Sequence, residues 1–404
     1  MSFDFKYWVR FAILNLLFVA ILGVIMRYKI GFEFPYFNQK NLQHAHSHFA
    51  FSGWISLLIM LLMLYNIRNL ISASQLSRYK NIFFAYNLVA YGMLVAFAIQ
   101  GYAAFSITFS TLSILVSFWF CVQYYRDSNK FKMLPGIRWL NMALLFNVLS
   151  TLGTFSLSYM MASKQIEQHS YLASIYWYLH FQYNGWFFFA CVGLWVNYLF
   201  ENGINLISGK KAFNLFALAC IPAYGLSTLW MNLPIWIYTI IVVAALSQAY
   251  GLFIFIREII TLKLVKELKL NVVSKLLMIC VLIAICSKVT LQLGSTVPEI
   301  SKFAFGFRPI VIAYLHLVLL AFTSAFLISY SYINNLFKDS KNTRLGLLLF
   351  LVGIVINELL LGLQGIFSIT YTIVPFANEI LFLISIIIFT GLLLINVSIN
   401  KTKH

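Results

Sequence analysis

Long apolar runs separated by short polar segments recur from one end of this chain to the other. A helix rises about 1.5 Å per residue, so a run of about 20 apolar residues can cross roughly 30 Å of hydrocarbon. The pattern predicts transmembrane helices over 7–27, 46–66, 81–102, 104–125, 138–161, 170–199, 213–231, 235–256, 273–293, 309–333, 345–366 and 378–398. No soluble domain, low-complexity linker or internal repeat interrupts them. The expected fold is all-α: one membrane domain over 1–404, a polytopic integral membrane bundle of about 12 helices.

Composition agrees, and charge orients the bundle. Hydrophobic residues make up 62% of the chain and charged residues 10%, a balance foreign to soluble globular domains. The net charge of +17 would suit nucleic acid. The Lys and Arg residues fall between the apolar runs, however, where they act as topology signals, so the lipid bilayer is the expected partner and nucleic acid is not. Alternate segments (6–10, 68–80, 126–138, 210–211, 257–275, 338–344 and 401–403) carry 21 of the 28 basic residues, which predicts that both termini are cytoplasmic. Lys6 and Arg10 precede the first run as in a signal peptide, but no small-residue cleavage pattern follows and Arg27 and Lys29 end the run, so a retained first helix is expected. The longest cytoplasmic connection, 257–275, reads as a short amphipathic solvated segment. The five cysteines, Cys121, Cys191, Cys220, Cys280 and Cys286, lie in apolar runs without a CxxC pair, which predicts buried free thiols rather than disulfides or a cysteine metal site.

The densest chemistry stands at the mouth of the second run, Gln43-His44-Ala45-His46-Ser47-His48. Imidazole suits a haem iron or a transition metal in an otherwise apolar protein. On a helix His44 and His48 share a face and His46 points nearly the opposite way, so the three cannot all ligate one ion unless the stretch is extended. The sixth run carries His180 and the tenth His316, both in the outer half with the first three. The plain reading of any one of these is a hydrogen-bonded interfacial side chain; five at one depth on three helices favour a cofactor or metal site. His169, in an outer loop, and His404, at the C-terminus, are expected to be solvated and uninvolved.

Those positions resemble a known family. Twelve helices with both ends inside, and histidines near the outer ends of helices 2, 6 and 10, are similar to the catalytic subunit of haem–copper oxidases and nitric oxide reductases. Tyr176-Trp177-Tyr178-Leu179-His180-Phe181-Gln182-Tyr183-Asn184-Gly185-Trp186-Phe187-Phe188 resembles the aromatic-flanked histidine segment that supplies a copper ligand in the C-type oxidases and their reductase relatives. Ala313-Tyr314-Leu315-His316 looks like the family's Ala-His-x-His with Tyr314 in place of the first histidine. The family places a low-spin haem ligand at the start of helix 2, and Phe49 to Gly53 resembles its Phe- and Gly-rich continuation.

The resemblance covers the whole topology through three short motifs, and its departures bear on chemistry. The family carries a histidine pair on helix 7, whereas 213–231 has none and Ile221-Pro222-Ala223-Tyr224-Gly225 stands there. Two copper ligands are therefore missing, and Tyr314 replaces the high-spin haem ligand, although tyrosine can ligate haem iron elsewhere. The resemblance implies a degenerate binuclear centre with one low-spin b-type haem between a helix 2 histidine and His316, serving electron transfer or haem-linked oxygen or nitric oxide chemistry. Copper is not expected in the standard site. The same resemblance implies a cytochrome or redox subunit as partner and the plasma membrane of a bacterium as location. All three of His44, His46 and His48 are candidate axial ligands, with His44 and His48 ranked ahead of His46. His180, without its copper companions, is left to hold a haem propionate or to bind metal with a helix 2 histidine.

Lys288 and Glu358 lie inside predicted helices 9 and 11, where charge is expensive and should face the interior. A proton path is the functional reading; an ion pair, or a lysine reaching the outer interface, is the structural one. Gln182, Asn184 and Gln364 are expected to tie helices together by hydrogen bonds. Two other classes compete: a secondary transporter, which should betray repeated halves or paired broken helices, and a histidine-based metal-binding or sensory membrane protein. His316 discriminates, because a bis-histidine haem needs a deep partner across the bundle and a metal site at the start of helix 2 does not.

Overall fold

A computed structural model describes residues 3–231, 233–262, 268 and 270–400, and among them every regular element is helical. We number the long helices in chain order: α1 (Phe5–Gly31), α2 (Gln39–Asn66), α3 (Ala73–Gln100), α4 (Ala104–Ser128), α5 (Ile137–Ser163), α6 (168–201), α7 (Gly209–Cys220, continued as a 3₁₀ turn over Pro222–Thr228), α8 (Ile235–Thr261), α9 (Val272–Gly294), α10 (Arg308–Ile333), α11 (Lys341–Ile369) and α12 (Ala377–Asn400). A short helix, Pro298–Gly306, which the apolar pattern does not foretell, leads into α10. Ten of the long helices, all except α6 and α7, are long and apolar enough to cross a membrane. The protein is thus a multi-pass integral membrane protein in contact with lipid.

Polar caps explain why these helices outrun their apolar cores. Asn38 Oδ1 accepts from the backbone N–H of Lys40 and Asn41 at 2.9 and 3.2 Å, which starts α2 at Gln39, seven residues before the apolar run at 46. Ser72 and Gln75 form a reciprocal capping box that starts α3 at Ala73 instead of 81. At α6 the cap is Glu167, whose carboxyl is held down to about 2 by the amides of Ser170 and His169. His169 consequently lies in the first turn of α6, exposed, and not in a loop. The 257–275 connection is shorter than its charges imply. Arg257 and Glu258 belong to α8 and Lys275 to α9, while Lys263, Lys266, Glu267 and Lys269 lie outside the described residues, as does His404. Glu258 caps α7 instead, accepting from the backbone N–H of Ile207 and Ser208 at 2.6 and 2.8 Å.

Successive helices pack as neighbours and α12 closes the bundle against α1. At its centre stands α2, which touches α1, α3, α6 and α10. The apolar stretch of α2 is 83% buried by protein, against 22–50% for the other nine candidate spans, so its surroundings are side chains while its neighbours meet lipid. All five cysteines are free thiols; Cys121, Cys191 and Cys220 are buried, as expected, whereas Cys280 and Cys286 are only partly so.

Candidate functional site

Three helices of the centre share a backbone feature. Each of α2, α6 and α10 loosens into a π-helical segment: Ala50–Ser56, Phe181–Phe187 and Leu317–Ser324. Each begins just after a histidine singled out above, at His48, His180 and His316. A π turn inserts a residue into the α-helical register and is frequent at functional sites. Side chains compensate for the disturbed ladder: Thr323 Oγ1 and Ser324 Oγ donate to carbonyls five residues back, Val318 and Leu319, at 2.8 and 2.7 Å, and Asn15 Nδ2 donates to Gly53 O at 2.6 Å. Two indoles join the segments. Trp54 Nε1 donates to Ser324 Oγ at 2.9 Å and Trp186 Nε1 to Ser56 Oγ at 3.1 Å.

The helix 2 histidines divide as their spacing demands. His44 and His48 both turn toward the end of α3. The His48 ring stacks on Phe97 with centroids 4.1 Å apart, its Nε2 lies 2.9 Å from Tyr102 Oη, and the His44 ring meets Tyr102 edge-on at 4.6 Å. His44 Nε2 is buried without a hydrogen-bond partner among the described residues. His46 faces the other way, toward α1, where its Nδ1 lies 3.1 Å from Val19 O. Its ring is within electrostatic reach of His316, and Arg27 is within reach of both.

Tautomers are set by the partners. A carbonyl oxygen only accepts, so His46 Nδ1 carries the proton it donates to Val19 O, and its Nε2 keeps a lone pair. His316 is arranged alike, with Nδ1 2.8 Å from Ile312 O, one turn back on its own helix. No hydrogen bond to Nε2 of either ring is present among the described residues. A backbone carbonyl that orients Nδ1 and leaves Nε2 to a metal is the usual support of a ligating imidazole. The Arg27 guanidinium has no carboxylate and no hydrogen-bond acceptor among the described residues, although both rings lie within its electrostatic reach. The sequence read Arg27 only as the end of the first run; its position one turn past Gly23 and two past Val19, on the face of α1 that meets His46, is the signal that would have found it.

His180 is different. Fully buried, it donates from Nε2 to Cys220 O at 2.8 Å and accepts at Nδ1 from Asn184 Nδ2 at 3.0 Å, so both ring nitrogens are engaged. Tyr314, two residues before His316, points to the opposite side of α10 and meets Tyr183 of α6 with centroids 6.1 Å apart. Lys288 is 3% exposed and within reach of His180. Its Nζ donates to Gln292 Oε1 at 2.9 Å and stands 5.5 Å above the Phe188 ring, so it does not reach the outer interface. Glu358, in α11, accepts from Asn357 Nδ2 at 3.1 Å. Lys288 and Glu358 form no ion pair with each other. Gln182 does tie helices, donating to Asn147 Oδ1 at 3.0 Å and Ser150 Oγ at 2.8 Å on α5, whereas the Asn184 side chain bonds within α6 and Gln364 makes no hydrogen bond to the described residues.

The arrangement therefore brings together His46, His316 and Arg27, keeps His44 with His48 in a separate aromatic pocket, and sets His180 with Lys288 in a third. Among the described residues no group of three or more His, Cys, Asp or Glu side chains is disposed to hold a metal ion. Neither a protein-family model nor a curated protein matches this chain.

Proposed function

We propose that this chain is an integral membrane haem protein on a scaffold resembling the catalytic subunit of haem–copper oxidases, holding one low-spin b-type haem between His46 and His316 and lacking a copper centre. The observation that carries this reading is the matched pair: two imidazoles on α2 and α10 within electrostatic reach of each other, each with Nδ1–H committed to a backbone carbonyl and Nε2 left over. A bis-imidazole haem supplies one-electron transfer with both axial positions filled. The residues fit such a group. Val19 and Ile312 orient the ligating rings, Arg27 offers an unpaired cation to the cofactor's carboxylates, and the Trp54–Ser324 bond holds α2 against α10. His46 thus takes precedence over His44 and His48, whose face of α2 belongs to Tyr102 and Phe97.

The same reading makes α6 and α7 the eleventh and twelfth crossings, with both termini cytoplasmic as the basic residues indicate. It leaves His180 out of copper binding, because its nitrogens serve Cys220 and Asn184 and α7 carries no histidine. Lys288, buried, and Glu358, partly buried, have no counter-charge among the described residues and are then candidates for holding protons within the membrane.

A visible spectrum of the detergent-purified protein tests this. A Soret band with a sharp reduced α-band after dithionite is expected; neither band appearing after expression with haem supplied would sink the proposal.

A further inference from the structure

We infer that the groove between α7 and α8, lipid-facing on the proposed reading that α7 crosses the membrane, is a binding site for an anionic phospholipid. The groove, about 680 Å³, is bordered by Lys210, Lys211, Asn214 and Leu218 of α7 and by Val243 and Ser247 of α8. It lies along the α-helical part of α7, below the 3₁₀ turn that begins at Pro222; beyond it Ala223 and Leu226 close on Ile241, Ala244 and Ala245 of α8.

The groove is graded in polarity along its length. Lys210, Asn214 and Leu218 recur every four residues on one face of α7, about 6 Å apart in depth. All three are exposed, Leu218 at 79%. Cation, amide, then hydrocarbon is the order of phosphate, glycerol ester and acyl chain in a phospholipid. Lys211 stands beside Lys210 and is positioned by α8, its Nζ 3.1 Å from Tyr250 Oη. Ser247 does not compete for the ligand, since its hydroxyl donates to Val243 O of its own helix at 2.7 Å. The nearest acid, Glu258, is committed to the start of α7, accepting from Ile207 N, Ser208 N and Ser208 Oγ. Asn214 makes no hydrogen bond to the described residues, which in hydrocarbon leaves an amide in need of a partner. Two lysines at the mouth of an apolar cleft match one phosphodiester and attract the anionic lipids of a leaflet.

This inference does not depend on haem. The full chain, exchanged into nanodiscs of phosphatidylcholine with one-fifth phosphatidylglycerol, would be released into detergent and examined by native mass spectrometry. Phosphatidylglycerol adducts are expected to be enriched at least about fivefold over its share of the mixture, and K210Q/K211Q should abolish the enrichment. K130Q/K132Q, with the same change in net charge elsewhere, should leave it intact. Leu218→Trp, which fills the groove without changing charge, should also remove it, so a misfolded lysine variant would not leave the matter open. Inorganic phosphate should not displace the adduct. Equal retention of the zwitterionic lipid, loss in K130Q/K132Q, persistence in Leu218→Trp, or displacement by phosphate would each overturn the assignment.

Discussion

Trp54 Nε1 donates to Ser324 Oγ at 2.9 Å, joining the π segment of α2 to that of α10, 270 residues away in sequence. The hydroxyl passes its own proton to Leu319 O at 2.7 Å, so one serine both repairs the backbone of α10 and fastens it to the central helix. Ser324→Ala should leave the buried indole N–H unsatisfied and cost about 1–2 kcal/mol. Thermal unfolding in detergent would read this as a lowered midpoint, and an unchanged midpoint would show that the bond contributes nothing. Trp54→Phe in the Ser324→Ala background should then cost less than it does alone.

Ligand identity is open to direct test. His46→Ala and His316→Ala should each remove the sharp reduced α-band, and His48→Phe should keep it because the phenyl ring can stack on Phe97 in place of the imidazole. Arg27→Gln should retain haem and shift its midpoint potential downward, since a cation beside the site favours the reduced form. A spectrum lost in His48→Phe but kept in His46→Ala would transfer the axial role to the other face of α2.

His180 makes the opposite case. With both nitrogens engaged by Cys220 O and Asn184 Nδ2, elemental analysis of the purified protein should find copper well below one per chain. His180→Ala should not change that content, yet it should destabilise the bundle by about 1–3 kcal/mol by stripping partners from two buried groups. Stoichiometric copper lost on that substitution would contradict the geometry.

Outside the membrane, Asp339 carries a pH dependence. The Arg344 guanidinium, bonded at 2.7 and 2.6 Å, and then the Tyr332 hydroxyl hold its carboxyl below the usual carboxylate range. A depressed folded-state value means that the interaction stabilises the protein above the unfolded carboxylate's ordinary value, and that this stability is lost as pH falls through the lowered one. The pair is largely exposed to solvent, so the effect is small. Asp339→Asn should lower the melting midpoint slightly at pH 7, by a gap that closes as pH falls through the lowered carboxyl value; a gap that persists at still lower pH would mean that the residue acts by packing.

The contact of α11 with α12 rests on two glycines. A Cβ on Gly391 would stand 2.7 Å from Gly346 O and 2.8 Å from Phe350 N. Both atoms are backbone of α11 and cannot yield as a flexible side chain would, so Gly391→Ala should cost about 1–3 kcal/mol. A melting midpoint at or above that of the parent would show that the helices can separate at no cost.

Much of the fold is legible in the chain itself. Apolar runs locate eight of the ten candidate spans to within about five residues at either end, α2 and α3 starting earlier, and the i,i+4 spacing of His44 and His48 foretells that His46 faces elsewhere. The extensions of α2 and α3 escape the pattern because apolar content, not the Asn38 and Ser72 caps, sets the expected starts. Arg27 escapes as a site residue because charge at the end of an apolar run reads first as topology.

By itself the sequence determined that the chain is a helical membrane protein and that its histidines gather on α2, α6 and α10, since hydrocarbon admits few backbones other than helices and every imidazole is placed by its depth along one. Tertiary structure decided which nitrogen faces what: that His46 turns to Val19 and His316, that His48 turns to Tyr102, and that His180 is spent on Cys220 and Asn184. The physical reason is rotation about the helix axis. Each π segment adds a residue to a turn and swings the later residues of its helix by about 100° relative to an unbroken α-helix. The sense of facing between helices far apart in sequence is fixed by packing such as that of Trp54 on Ser324, which no local pattern contains.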